Sequence, residues 1–377
     1  MRKAILNLIF IGISISRMAF AQLDNKAFCS PAADSLENKQ FAVHFEHLNY
    51  LRNNEYFTKI ADGYTLFGLH AIPELHYQVS PEFRLEAGAF VRIDYGNKGV
   101  KEIQPTFTAR YSKGNHQILM GTLDGGLQHQ LIEPLYDFEN QLTRRIENGF
   151  QYKFNGKKAS LDAWVDWRNM IYSNSPVQEE ILAGIRFEPV LLETRLLRIT
   201  LSEQGTVYHK GGQIDISNLP LTTWFHNSLG TKIDINPGSG SFLKKIQVQA
   251  FGVNFLDNSN QKKFKYSKSL SSYFNLSAET KWGTVMLSYW QTSAFPSYQG
   301  GKLYRTISSN IKNPGYQEET RKLLFIRIMK DWKIGPDLWI TARVEPYFDL
   351  RNNLWEFSHG LYINYRGQIW KSKTTNP

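Results

Sequence analysis

Residues 83–95 read Phe83-Arg84-Leu85-Glu86-Ala87-Gly88-Ala89-Phe90-Val91-Arg92-Ile93-Asp94-Tyr95. Phe83, Leu85, Ala87, Ala89, Val91, Ile93 and Tyr95 fall on one side of a two-residue repeat, and Arg84, Glu86, Gly88, Arg92 and Asp94 on the other. A β-strand puts alternate side chains on opposite faces, so this stretch is a strand between two different solvents. Twelve steps of about 3.3 Å, tilted by about 40°, project to about 30 Å along a barrel axis. That is a bilayer thickness with an aromatic residue at each end. A soluble sandwich also alternates, but it would bury the apolar face and show the charges to water. The repeat predicts a strand without choosing between these two.

The N-terminus separates them. Met1-Arg2-Lys3 precede an apolar run from Ala4 to Ser16, and Ala19-Phe20-Ala21 stand before Gln22. A charged start, a short greasy core and small residues at a cut site define an export signal, predicted here over residues 1–21. No later segment offers the ~18 uninterrupted apolar residues of a membrane helix. Mean hydropathy is low at −0.39, although aromatics reach 14%. Both follow when lipid meets only every second residue and aromatic residues gather in interfacial girdles. The formal charge of +10 stays basic without the signal. An exported basic chain points to lipopolysaccharide phosphates and anionic solutes, and away from nucleic acid. The only cysteine, Cys29, excludes an internal disulfide. It reads as a bland thiol in a flexible polar periplasmic leader, residues 22–39.

Strands are predicted near 40–51, 63–77, 83–96, 101–112, 116–124, 147–155, 158–171, 180–191, 195–209, 221–235, 242–256, 271–282, 284–296, 322–333, 337–349 and 356–370. The fold class is therefore all-β: a transmembrane antiparallel up-and-down barrel of about sixteen strands, with fourteen to eighteen as the range. One barrel occupies residues 40–370 and a periplasmic tail residues 371–377. Short links carry turn residues, as at Ser80-Pro81, Gly114-Asn115, Asn155-Gly156, Trp282-Gly283 and Gly335-Pro336. They alternate with long links: Arg52 to Gly63, Gly125 to Ile146, His209 to Leu221, Leu256 to Leu270 and Gly300 to Arg321. Tight periplasmic turns and long external loops give this alternation and put both termini in the periplasm. Two places fit less well: Leu323 to Met329 is almost continuously apolar, and the turn between Val190 and Thr194 has neither Gly nor Asn.

With apolar faces outward, the candidate pore lining from the first strands is Arg84, Glu86, Arg92, Asp94 and Arg110. The middle strands add Asp162, Asp166, Arg168 and Lys245, and the last ones Glu279, Lys281, Arg343, Glu345 and Arg366. Charges of both signs can pair into a rigid wall, or segregate and set a transverse field across a pore. A barrel of this size holds an aqueous channel unless something fills it. The filler suggested by the sequence is the Gly125–Ile146 link. Beyond Pro134, its Leu135, Phe138, Leu142 and Ile146 recur at helical spacing and predict a short amphipathic helix. Here the chain resembles the general porins of Gram-negative outer membranes in architecture, though it carries none of their diagnostic motifs. The shared traits are about sixteen strands, periplasmic termini and a long third external loop. The resemblance implies that this loop folds inward as a constriction, with Glu133, Asp137 and Glu139 facing Arg84, Arg92 or Arg110 and with Arg144 and Arg145 on the same loop. The other reading of the loop is an external lid or docking helix.

Signs of catalysis are thin. His226-Asn227-Ser228-Leu229-Gly230 puts a histidine and a serine on one strand face, and a serine nucleophile needs a base within hydrogen-bond reach. It resembles the motif of outer-membrane phospholipases, but Leu229 stands where their asparagine would be. His44 with His47, and His70 with His76, lack an acidic third ligand nearby and predict no metal site. Lys262-Lys263-Phe264-Lys265-Tyr266-Ser267-Lys268 reads as a solvated loop or a lipopolysaccharide-phosphate contact. The sequence thus points to a porin-like passive channel for small hydrophilic solutes, needing no cofactor and not an enzyme. The alternatives are a non-conducting barrel subunit of an envelope assembly and a phospholipase-like hydrolase. The expected partners are outer-membrane lipid and lipopolysaccharide, small polar solutes, and other envelope proteins or further copies of the chain.

Overall fold

The computed structural model describes residues 25–29, 36–238 and 241–373. The export signal at residues 1–21 lies outside the described residues, as does most of the C-terminal tail. Sixteen antiparallel strands, each hydrogen-bonded to its sequence neighbours, close into one barrel when β1 pairs with β16. The first six are β1 Phe41–Glu55, β2 Tyr64–Ser80, β3 Phe83–Asp94, β4 Glu102–Lys113, β5 His116–Thr122 and β6 Asn148–Asn155. Then come β7 Ala159–Asn169, β8 Glu180–Glu193, β9 Leu197–Lys210, β10 Thr222–Ile235 and β11 Leu243–Asp257. The last five are β12 Lys268–Thr280, β13 Thr284–Ser293, β14 Thr320–Lys333, β15 Leu338–Asp349 and β16 Leu354–Lys371. Among the described residues helix is confined to single turns, including α1 Lys26–Cys29 and α2 Asn140–Thr143. The expected sixteen-strand barrel is the one observed.

The two faces of the wall follow the alternation. Outward residues such as Phe67, Ile103, Phe107, Leu276 and Leu361 are exposed, whereas inward Glu86, Asp162, Arg327 and Arg343 are buried. This inversion of the soluble pattern suits a wall with hydrocarbon outside. Strand β1 runs beyond its predicted end because Arg52 and Asn54 continue its inward face. In β14 the inward Leu323, Phe325 and Met329 are also buried, so apolar residues occupy both faces of this strand. The interior at that point is itself greasy, which explains the continuous apolar run. The turn after β8 lacks glycine because Thr194 closes it instead, its Oγ1 accepting the Leu197 N–H at 3.0 Å.

Tight turns join the strands at the end that carries the termini. At the opposite end two connections are long, residues 123–147 after β5 and 294–319 after β13. Both fold back into the barrel.

Candidate functional site: a plugged lumen

Residues 123–147 fill the lumen because they bring their own apolar core. Leu131, Ile132, Leu135 and Tyr136 are buried with Trp164, Trp224, Phe255, Trp290 and Phe325 of the wall, and Phe138 and Leu142 form a second cluster with Leu48, Tyr50 and Tyr362. The loop lies inside the barrel, against the inward face of the wall. The helix predicted over Leu135–Ile146 shrinks to α2. Other segments anchor the chain entering it: Ile132 N–H donates to Gln204 Oε1 at 2.8 Å and Asp137 N–H to Gln299 O at 2.9 Å.

The second loop interlocks with the first. Ser297 Oγ donates to Pro134 O at 2.8 Å and Gly301 N–H to Glu133 O at 3.0 Å. Phe295, Leu303 and Tyr304 are buried, and the Trp290 indole donates to Tyr304 O at 3.1 Å. Sequence reasoning left this loop external and without a role. Its signal was the aromatic and apolar content of Phe295, Tyr298, Leu303 and Tyr304, too greasy for a solvated loop. From the other end, α1 inserts Phe28 edge-on between Phe138 and Tyr362. Cys29 is buried with it, contrary to the flexible leader expected there.

At the centre lies His129. A 3₁₀ turn, Gly126–His129, presents the imidazole flat against Trp164, with ring centroids 3.5 Å apart. Trp164 has room because Gly184 faces it: a Cβ there would stand 2.2 Å from the indole. Nδ1 lies 2.9 Å from Asp162 and Nε2 2.8 Å from Glu147. Gln151 donates to Asp162 at 2.8 Å, and Tyr136 OH to Glu147 at 3.1 Å. Burial alone would lower the histidine pKa, but Glu147 and Asp162 overcome it and raise it to about 9. The group is an imidazolium held between two carboxylates. The sequence reading placed Asp162 in the lumen but gave His129 no role, because only strand register brings the two together.

On the side away from the termini the plug leaves a cleft of about 50 Å³. Arg52 bridges Glu139 at 3.0 Å and Glu345 at 2.7 Å. Arg327 pairs with Glu133, and Lys302 Nζ donates to Tyr64 OH at 2.8 Å. Burial, with Glu139 beside it, pushes the Asp137 carboxyl up to about 7. The loop acids therefore face Arg52 and Arg327, not Arg84, Arg92 or Arg110. Arg52 was hidden in what read as a loop, and Arg327 in the apolar run of β14. Arg145 reaches Glu46 at 3.3 Å, while Arg144 stays half-exposed near Glu180.

The candidate lining residues are mostly paired within the wall. Arg84 and Arg110 share Glu86, Arg110 also binds Asp124, Arg92 binds Asp94, and Arg168 binds Asp166. Arg343 binds Glu345 and Arg366 binds Glu46. Lys245 pairs with Asp234 and Glu279 with Lys244 near the terminal end. Lys281 departs from the expectation: it falls in the turn after β12 and is exposed. The charges of β1–β6 surround a vestibule of about 560 Å³ on the side of the termini. His226 and Ser228 share the inward face of β10, as expected, but His226 packs on Phe255 and Phe295. No carboxylate bonds to it among the described residues. His44 stacks on His76 at 4.2 Å. In the basic run, Phe264 and Tyr266 pack on the aromatic core, so it is not a merely solvated loop.

A closed sixteen-strand wall with a polar, plugged interior and an apolar exterior defines an outer-membrane-type β-barrel. Within that class the chain belongs to the lipid A 3'-O-deacylase-type family, whose sequence pattern matches residues 33–373. No curated protein sequence matches it. Solved structures share the architecture at very low identity. OprD from Pseudomonas aeruginosa aligns with TM-score 0.52 and 10% identity, over 90% of this chain and 96% of that one. A loop L8 deletion mutant of OmpT from Vibrio cholerae aligns with TM-score 0.51 and 9% identity, over 86% and 99%. Pseudomonas aeruginosa OccK2, in complex with glucuronate, aligns with TM-score 0.51 and 8% identity, over 89% and 100%. Such likeness speaks to fold alone. The family membership corrects the sequence reading of a non-enzyme, since the family is named for an enzyme.

Proposed function

We propose that this chain is an outer-membrane hydrolase that releases an ester-linked acyl chain from lipid A, with His129 as its acid–base group. The observation that carries the reading is the His129 imidazole held between two carboxylates, in a member of a family named for this reaction. Ester hydrolysis needs a base to take a proton from water and an acid to return one to the leaving alcohol, and an imidazole oriented by a carboxylate does both. Asp162, fixed by Gln151, is the orienting partner. Glu147, the last residue of the loop, is the partner that water and ester replace. Its departure lowers the imidazole pKa from about 9 toward the ordinary range and frees Nε2 as a base. The basic groups at the outer cleft, Arg52, Lys302 and Arg327, suit an anionic glycolipid headgroup.

The vestibule favours a second reading, in which small solutes pass when the plug withdraws. The first is tested by incubating the folded barrel with purified lipid A and following the products by mass spectrometry. The expected product lacks one acyl chain, and His129→Gln lowers turnover by about 10²–10⁴-fold without loss of the barrel. An inert native protein, or a variant that turns over normally, rejects the assignment.

A further inference from the structure

Among the described residues the lipid-facing wall is mostly apolar, with polar interruptions of two kinds. On β1 and β2 the interruption is internally bonded: Asn49 contacts His47 at 2.7 Å, Asn53 donates to Glu55 at 2.5 Å, and Thr65 donates to Asn53 at 2.8 Å. On β9–β11, on the opposite side of the barrel, it is not. Glu203 is exposed near the middle of β9, flanked in register by Phe187 and Leu229. No hydrogen bond or ion pair reaches its carboxylate among the described residues. One level away, Gly205, Asn227 and Asn254 form a row across three strands. Asn227 donates to Asn254 Oδ1 at 3.2 Å, and both are exposed. That single bond leaves the Asn254 amide hydrogens without a partner. Beside Leu229 in register stands Gly252, where an added Cβ would meet only Leu229 O, at 3.9 Å.

A carboxylate at mid-wall, with an amide pair nearer the outer end of the same strands, is costly against hydrocarbon, so it implies something that hydrogen-bonds there. Lipid headgroups sit at the edges of the bilayer, too far from the middle of a strand that spans it. The patch itself has the features of a protein contact in a membrane: small residues that allow close approach, and polar groups that bond across it. It is also self-complementary. The Asn254 and Asn227 amides donate, Glu203 accepts, and Leu229 is a projection matched by the hollow over Gly252. A two-fold axis along the membrane normal keeps depth constant and brings such a patch against its own copy. We propose that the Glu203–Asn227–Asn254 patch on β9–β11 is the interface through which two copies of this chain pair in the membrane.

The test uses the full-length protein in outer membranes, in a Cys29→Ser background. Leu229→Cys places a thiol near the proposed axis, and Ile103→Cys, on β4, places one far from it. Oxidation is expected to give a covalent dimer from the first and only monomer from the second. Glu203→Leu combined with Asn254→Leu should reduce that dimer yield at least tenfold while the barrel still shows its heat-dependent gel shift. If the double variant fails to fold, Asn254→Ala alone is read in the same way. Absence of the Leu229 cross-link, equal cross-linking at Ile103, or undiminished yield in the folded variants would overturn the proposal.

Discussion

The two halves of the lumen are built from the same kinds of side chain and differ in what those side chains join. Away from the termini, ion pairs run between segments: Arg52 of β1 to Glu139 of the plug and Glu345 of β15, and Arg327 of β14 to Glu133. The space left is about 50 Å³. Toward the termini, Arg84 and Arg110 share Glu86 of the wall, while Arg110 and Lys153 hold Asp124 at the very start of the plug loop, around about 560 Å³. Where the pairs reach the middle of the loop the lumen is closed; where they hold only the wall and the two ends of the loop it stays hollow. The plug, not the lumen charge, sets how much of the lumen is open.

Removing Leu135–Arg144 should break that distinction with the largest effect. The native barrel is expected to be silent in planar-bilayer recordings, and the deletion to give stable conducting steps. An intermediate effect comes from pH. His129 has its pKa raised from 6.5 to about 9, so its hold on the loop is complete below pH 6.5 and fades as pH rises through about 9. Tryptic cleavage at the half-exposed Arg144 should therefore accelerate with a midpoint near pH 9, and His129→Gln should abolish that midpoint. The smallest effect belongs to the vestibule. Arg84→Ala, removing a partly solvated pair, should change stability by about 0–1 kcal/mol in a denaturant titration and leave conductance unchanged.

Much of this was legible in the sequence. Alternation such as that of residues 83–95 placed sixteen strands, and the length and apolar content of Gly125–Ile146 marked the plug. What escaped depended on register or on a second loop. Nothing local in the sequence says that Asp162 on β7 and Glu147 before β6 will close on His129, since a one-residue slip would turn Asp162 outward. Arg327 was masked because β14 faces a greasy plug on one side and hydrocarbon on the other, which erases the two-residue repeat that identifies a strand. The enzyme family was invisible to motif reasoning: the His226 and Ser228 pair drew notice, whereas the histidine that holds two carboxylates sits in a loop.

The short helix α1 carries one more consequence. Phe28 touches both Phe138 of the plug and Tyr362 of β16, the Asn364 side chain donates to Ala27 O, and Arg343 donates to Asn25 at 3.1 Å. The start of the described chain is therefore seated on its last two strands, next to the seam where β1 meets β16. The contacts that seat the stopper exist only once β15 and β16 are in place. A chain cut short before β16 loses the wall and the anchorage of its N-terminal segment together.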